Sequence, residues 1–154
     1  MTAGTRLAAL DPGRSKCGLV LADGPSRTLL AAAILPPEEA RSLIAGWREQ
    51  GLGSVVLGNG TGSSGWRRQL EALGLRVQLV DERGTTLQAR QRYWDLERRW
   101  HWQRWLPAGL RLPPRDIDDV VAQLLLERHL GERLKRPELR VWRKLPPLRT
   151  GPAP

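Results

Sequence analysis

The stretch from Leu7 to Asp23, LAALDPGRSKCGLVLAD, constrains the fold of this chain more than any other. Leu7, Ala8, Ala9 and Leu10 form a short apolar run that stops at Asp11, Pro12 and Gly13. A second run starts at Cys17 and stops at Asp23. Two such runs around a breaker cluster read as strands joined by a tight connection. Pro12 and Gly13 suit the centre of a type II turn, where Pro presets φ and Gly takes a positive φ. Asp11 is the informative residue, because a carboxylate closing a buried strand is costly unless it is paired, hydrogen-bonded or bound to a cation. Asp is also a favoured first residue of a turn. Its meaning therefore depends on whether other carboxylates converge on it.

The remaining order follows from breakers and periodicity. Arg27 to Leu35 returns as a third strand after the turn Gly24-Pro25-Ser26, which makes an antiparallel meander. Pro36 and Pro37 stop it and open a helix at Glu38, with Ala40, Leu43, Ile44 and Trp47 at helical spacing. Gly51 and Gly53 end that helix before a short buried strand, Ser54 to Leu57. A glycine-rich loop, Gly58 to Ser63, leads to a helix from about Ser64 to Leu73, which Gly74 terminates. Arg76 to Val80 is the next strand, and it also ends in acid, at Asp81 and Glu82. A long basic helix is predicted from Thr85 to about Trp105, and a last one from Asp116 to about Leu134. A meander followed by alternating helix and strand predicts an α/β fold. It consists of one mixed sheet, three antiparallel strands plus parallel ones, with helices on both faces. The chain divides into one domain, residues 1–134, and a flexible basic, Pro-rich tail, residues 135–154.

Charge narrows the partners. The 154 residues carry 25 Lys and Arg against 16 Asp and Glu, for a net charge of +9, and most of the basic residues are Arg. Guanidinium groups suit bidentate phosphate contacts, so nucleic acid is the expected partner. A single cysteine, Cys17, and two histidines exclude a disulfide framework and make a structural zinc site a poor fit. No apolar run approaches membrane-spanning length, and the N-terminus lacks a signal-peptide pattern, so a cytoplasmic protein away from membranes is expected.

Three acids occupy positions that can meet. Asp11 ends the first strand and Glu82 follows the strand Arg76 to Val80. The third comes from Asp116-Ile117-Asp118-Asp119, at the start of the last helix. Asp116 suits an N-cap, with Asp119 three residues on in a capping-box-like arrangement. Asp118 falls on the arc of Val121, Ala122 and Leu125, the packed face, whereas Asp119 points about a quarter-turn away, nearer Gln123. The general preference of acids for helix N-termini accounts for Asp116 and Asp119 and not for Asp118. Carboxylates gathered at one sheet edge repel one another and need a counter-cation, and oxygen-only ligands select Mg²⁺ or Mn²⁺. Such ions support phosphodiester hydrolysis.

Three segments stand in a familiar order: Leu10-Asp11-Pro12-Gly13 through Lys16-Cys17-Gly18, Val80-Asp81-Glu82-Arg83-Gly84-Thr85-Thr86, and Ile117-Asp118-Asp119-Val120-Val121-Ala122 to Leu126-Glu127. Together they resemble the YqgF-type (RuvX) proteins of the RuvC-like, ribonuclease H-fold nucleases, over roughly residues 5–131. The resemblance implies a ribonuclease H-like fold and a nuclease in which Asp11, Glu82 and Asp118 are catalytic and bind Mg²⁺ or Mn²⁺, with Asp119 as a further candidate ligand. It implies action in 5′-end processing of the small-subunit ribosomal RNA precursor, on RNA or ribosomal particles, or alternatively resolution of branched DNA such as a Holliday junction. Lys16, Arg83, Thr85 and Thr86 match positions around the site. They are expected, with Arg14 and Thr61 of the neighbouring loops, to contact nucleic acid. Surface solvation for the charged pair and helix capping for Thr85 are equally open. The chain departs from the family pattern at Asn59-Gly60-Thr61-Gly62, where an apolar-proline continuation is usual. It departs again at Val121, where RuvC resolvases carry a further acid.

Trp94, Trp100, Trp102 and Trp105 crowd the end of the basic helix among Arg98, Arg99 and Arg104. Packing or a dimer contact is the favoured reading, and base stacking the other. Monomer and homodimer both stay open. A non-catalytic nucleic-acid-binding module that keeps the fold is the rival from another functional class.

Overall fold

The computed structural model describes residues 5–60, 62–96 and 115–145. The meander expected from the opening stretch is present as β1 (Arg6–Asp11), β2 (Cys17–Asp23) and β3 (Thr28–Leu35). β4 (Leu52–Gly58) and β5 (Arg76–Val80) add in parallel on the far side of β1, and the short β6 (Val141–Trp142) adds in parallel to β3. The six-stranded order is β5-β4-β1-β2-β3-β6. This is the mixed α/β sheet, an antiparallel meander extended by parallel strands, that the sequence implied.

Alternation along the strands feeds two cores. Ala8, Leu10, Leu19, Leu21, Ala33 and Leu35 face α1 (Pro37–Glu49) and α2 (Ser63–Ala72), which contribute Ile44, Trp47, Trp66 and Leu70. Ala9, Val20, Ala22, Ala32 and Val56 face α4 (Asp118–Leu130), which contributes Ala122, Leu125 and Leu126. α3 (Thr85–Leu96) packs on the outer side of α4 through Ala89 against Val120, Val121 and Leu124. Nine consecutive residues of α4, Asp119 to Glu127, are buried, as befits a helix that is apolar on most sides and enclosed by neighbours.

Several local expectations need correction. Gly13 does not take a positive φ, so Pro12-Gly13 is not the centre of a type II turn. Its lack of a side chain matters for space, because a Cβ there would overlap the Lys16 carbonyl. The last helix starts at Asp118 rather than Asp116. Its N-cap is Ile117 and no side chain caps it. It also stops early: Gly131, at φ 74°, turns the chain into the left-handed region, and the amide of Gly131 closes on the Glu127 carbonyl at 2.8 Å.

The segment from Lys135, expected as a flexible tail, is laid along the sheet as far as it is described. Lys135 exchanges backbone hydrogen bonds with Arg27 and Leu29 at 2.8 and 2.9 Å, and Val141 and Trp142 pair with Ala32 and Ala33. Two of its basic residues have specific acidic partners. Arg136 reaches the buried Asp119 at 2.6 Å and the Gln123 amide oxygen at 2.9 Å, and Arg143 reaches Asp116 at 2.8 Å. Residues 146–154 and the upper part of the long basic helix, with Trp100, Trp102 and Trp105, lie outside the described residues. Trp94 lies edge-on to Tyr93, 5.3 Å between ring centroids.

The side chain of Asp119 is fully buried between Arg115 and Arg136, so removing it leaves two guanidinium groups facing each other in a half-buried site. Asp119→Ala is expected to destabilise the fold by roughly 3 to 5 kcal/mol, the range for breaking a buried ion pair from one side. Urea unfolding of the two proteins checks this.

Candidate metal-binding carboxylate site

β1, β4 and β5 run in the same direction, so their C-terminal ends share one edge of the sheet. Asp11 is the last residue of β1, on the face that Ala9 presents to α4. Glu82 follows β5 on the same side as Val80, which also belongs to the core under α4. α4 begins with Asp118 directly above β2. One sheet edge and one helix N-terminus therefore gather the three acids from three distant parts of the chain.

Glycines make the gathering possible. Gly18 pairs with Asp11 across the β1–β2 ladder, and a Cβ there would overlap the main chain of Asp118. Gly58 and Gly60, at the end of β4 and just beyond it, lie against the Glu82 carboxylate, and a Cβ on either would collide with it. Gly60 belongs to the Asn59-Gly60-Thr61-Gly62 stretch that departs from the family pattern. In this chain that departure makes room for Glu82.

The electrostatics separate these acids from the others. Burial, the negative charges of Glu82 and Asp118, and a hydrogen bond shared with Glu82 push Asp11 up to about 7. Glu82 is also raised, first by burial and then by Asp81. Two carboxylates can share a hydrogen bond only while one of them is protonated. With both ionised, the buried Glu82 Oε2 has no hydrogen-bond partner. A group of this kind asks for a proton or a cation.

Asp118 stands nearer the surface, and its Oδ2 is 3.6 Å from Lys16 Nζ. Lys16 also reaches Asp116 at 2.8 Å, and Arg143 reaches the same Asp116 oxygen. Lys16 first and Arg143 second hold Asp116 down to about 2, although it is largely exposed. Asp116 is thus an ion-pair partner and not a helix cap.

Asp119 does not join the cluster. Its Oδ1 is 2.8 Å from Arg115 and its Oδ2 is 2.6 Å from Arg136, so both oxygens are engaged by guanidinium groups. It heads a polar stripe on α4 at helical spacing. Gln123 donates to Glu127 at 3.1 Å, and Arg92 holds both oxygens of Glu127 at 2.8 and 3.0 Å. The expectation that Asp119 is a further metal ligand is replaced by a structural ion pair.

The remaining candidates divide by exposure. Arg14, Arg83 and Thr86 are exposed beside the acids. Thr85 is buried, and its hydroxyl donates to the Glu82 carbonyl at 2.6 Å, so it holds the Glu82 loop instead of facing solvent. Thr61 lies outside the described residues. Sequence reasoning missed Arg128, which grips the carbonyls on either side of Glu82. A basic residue in the last turn of a helix has an ordinary explanation in the helix dipole, so nothing in the sequence marks it.

Among the described residues, no three acidic, histidine or cysteine side chains close into a coordination set as they stand. The donor chemistry nevertheless fits a hard divalent ion. Asp11, Glu82 and Asp118 offer only carboxylate oxygens, and Glu82 Oε2 is a buried acceptor that an ion would satisfy.

No protein-family model matches the chain. No curated protein matches its sequence. Among solved structures it is similar to T. thermophilus RuvC in complex with Holliday junction substrate, at 16% identity and a TM-score of 0.46. That match covers 84% of this chain and 98% of the other. Among the described residues no helix is long and apolar enough to cross a membrane.

The raised pKa of Asp11 gives a signed pH dependence. Between about pH 4 and pH 7 the folded protein keeps a proton that the unfolded chain has released, so without metal its stability falls as pH rises through that window. Asp11→Asn is expected to remove the Asp11 share of this slope, leaving that of the raised Glu82, and to be more stable than the parent at pH 8, by at most about 4 kcal/mol. Denaturant unfolding in EDTA at pH 5 and pH 8 measures it.

Proposed function

We propose that the chain is a divalent-metal-dependent nuclease of the YqgF type, acting on the 5′ region of the small-subunit ribosomal RNA precursor, free or within a ribosomal particle. The observation that carries this reading is the carboxylate pair Asp11 and Glu82, which has no cationic partner among the described residues at the sheet edge of a chain of net charge +9. Elsewhere the protein spends arginines on its buried acids, on Asp119 and on Glu127. Among the described residues none is set against this pair, which is what a cation site requires.

In this reading Asp11, Glu82 and Asp118 hold Mg²⁺ or Mn²⁺. When bound, such an ion supplies an acidified water and neutralises the leaving phosphate oxygen. The protein's own residues do the rest. Asp11 and Glu82, set in the fold by the glycines beneath them, fix the place where the phosphodiester must lie. Lys16 stands between Asp116 and Asp118 and swings only a short distance to meet a phosphate oxygen. Arg14, Arg83 and Thr86 line the approach and hold the backbone on either side, giving affinity that falls with salt.

The test is cleavage of labelled precursor ribosomal RNA, an unstructured RNA and a four-way DNA junction, each with Mn²⁺, Mg²⁺ or EDTA. Metal-dependent cutting of the precursor, lost at least a hundredfold in Asp11→Asn and in Glu82→Gln, is the expected result. Preferential cutting of the junction would reassign the substrate to branched DNA. Salt-sensitive binding without cutting in any lane would replace the nuclease by a nucleic-acid-binding module.

A further inference from the structure

Glu82 stands on the connection Asp81 to Gly84, between β5 and α3, and its backbone is tied down on every side. Its amide donates to Asn59 Oδ1 at 3.3 Å. Its carbonyl accepts from the Thr85 amide at 3.1 Å and the Thr85 hydroxyl at 2.6 Å. The two carbonyls that flank it share one holder. Arg128 donates from Nη1 to the Asp81 carbonyl at 2.6 Å and from Nη2 to the Arg83 carbonyl at 2.8 Å, and Nη2 also reaches Gln88 Oε1 at 2.9 Å. A single planar guanidinium therefore bridges across Glu82 and is itself steadied by α3.

Arg128 belongs to the last turn of α4, the helix that opens with Asp118. A helix rises about 1.5 Å per residue, so the two ends are separated by a rigid span of roughly 15 Å. We propose that Arg128 is a positioning residue: it fastens the Glu82 loop to α4 and thereby sets where Glu82 stands relative to Asp118. Its importance for metal binding rests on the nuclease reading above, whereas the clamp itself does not. Lysine cannot replace it, since one ammonium nitrogen cannot span two carbonyls in the plane that the guanidinium fork provides. A role in holding phosphate would tolerate lysine, so the charge-preserving variant tells the two roles apart.

The experiment uses the 154-residue chain and its Arg128→Lys, Arg128→Ala and Asp11→Asn variants. Amide hydrogen exchange at Glu82 and Thr85 is read in EDTA, and Mn²⁺ affinity is read by titration calorimetry. In both Arg128 variants exchange at these two amides is expected to quicken about tenfold. Mn²⁺ is expected to bind roughly 10- to 100-fold more weakly, the usual effect of losing a residue that orients a ligand. Lysine should do no better than alanine. Arg128 is exposed, so little change in melting temperature is expected. Gln88→Ala, which frees one arm of the fork, serves if either variant fails to fold, with a smaller change in the same direction. Parent-like exchange together with parent-like Mn²⁺ affinity in Arg128→Lys would overturn the proposal. Should the parent bind Mn²⁺ no better than Asp11→Asn, the nuclease reading fails, and the exchange rates alone decide whether Arg128 holds the loop.

Discussion

Burying α4 on all sides obliges the protein to neutralise charge inside its own core. The helix carries Asp119, Gln123 and Glu127 on one line, and each is enclosed. Carboxylates in such a place are tolerable only with cations and hydrogen bonds at close range. Arg115 and Arg136 meet Asp119, and Arg92 and the Leu134 amide meet Glu127. These partners come from α3, from the approach to α4 and from the segment after it. The polar line is thus the seam that joins three otherwise separate pieces of chain to the central helix.

Against that background the acids at the sheet edge are a different population. Asp11 and Glu82 sit a short way from the same helix, in an arginine-rich chain, and among the described residues no basic side chain forms an ion pair with them. Burial first, and the repulsion of the neighbouring carboxylates second, raise Asp11 to about 7, so at physiological pH the pair is poised between sharing a proton and binding a cation. Asp118, beside Lys16, sits at the boundary between the two populations. The electrostatic division, structural acids paired with arginine and site acids left open, is the physical basis for the functional reading.

Much of this was legible in advance because it rests on short-range rules. Apolar runs ending in acid marked β1 and β5, and parallel pairing then had to bring Asp11 and Glu82 to one edge. Periodicity placed Asp118 toward the sheet. It could not show that Asp119 is the deeper of the two, since that depends on Arg136, seventeen residues on and beyond a glycine that ends the helix. Counting charge alone, the segment after Lys135 looks solvated. Two of its arginines, Arg136 and Arg143, are in fact matched to acids that only the folded chain brings near. In the sequence Gly60 is one glycine of a glycine-rich loop, and its purpose appears only in the fold, where the Glu82 carboxylate lies against it.

β6 is two residues long, yet it has a consequence out of proportion to its size. It lies along the outer side of β3, whose unpaired amides and carbonyls would otherwise invite strands from other molecules. The same short segment delivers Arg136 to Asp119. One stretch of backbone thus serves both edge and core, and a chain cut after α4 would leave β3 as an open edge and Asp119 with Arg115 as its one remaining cation among the described residues.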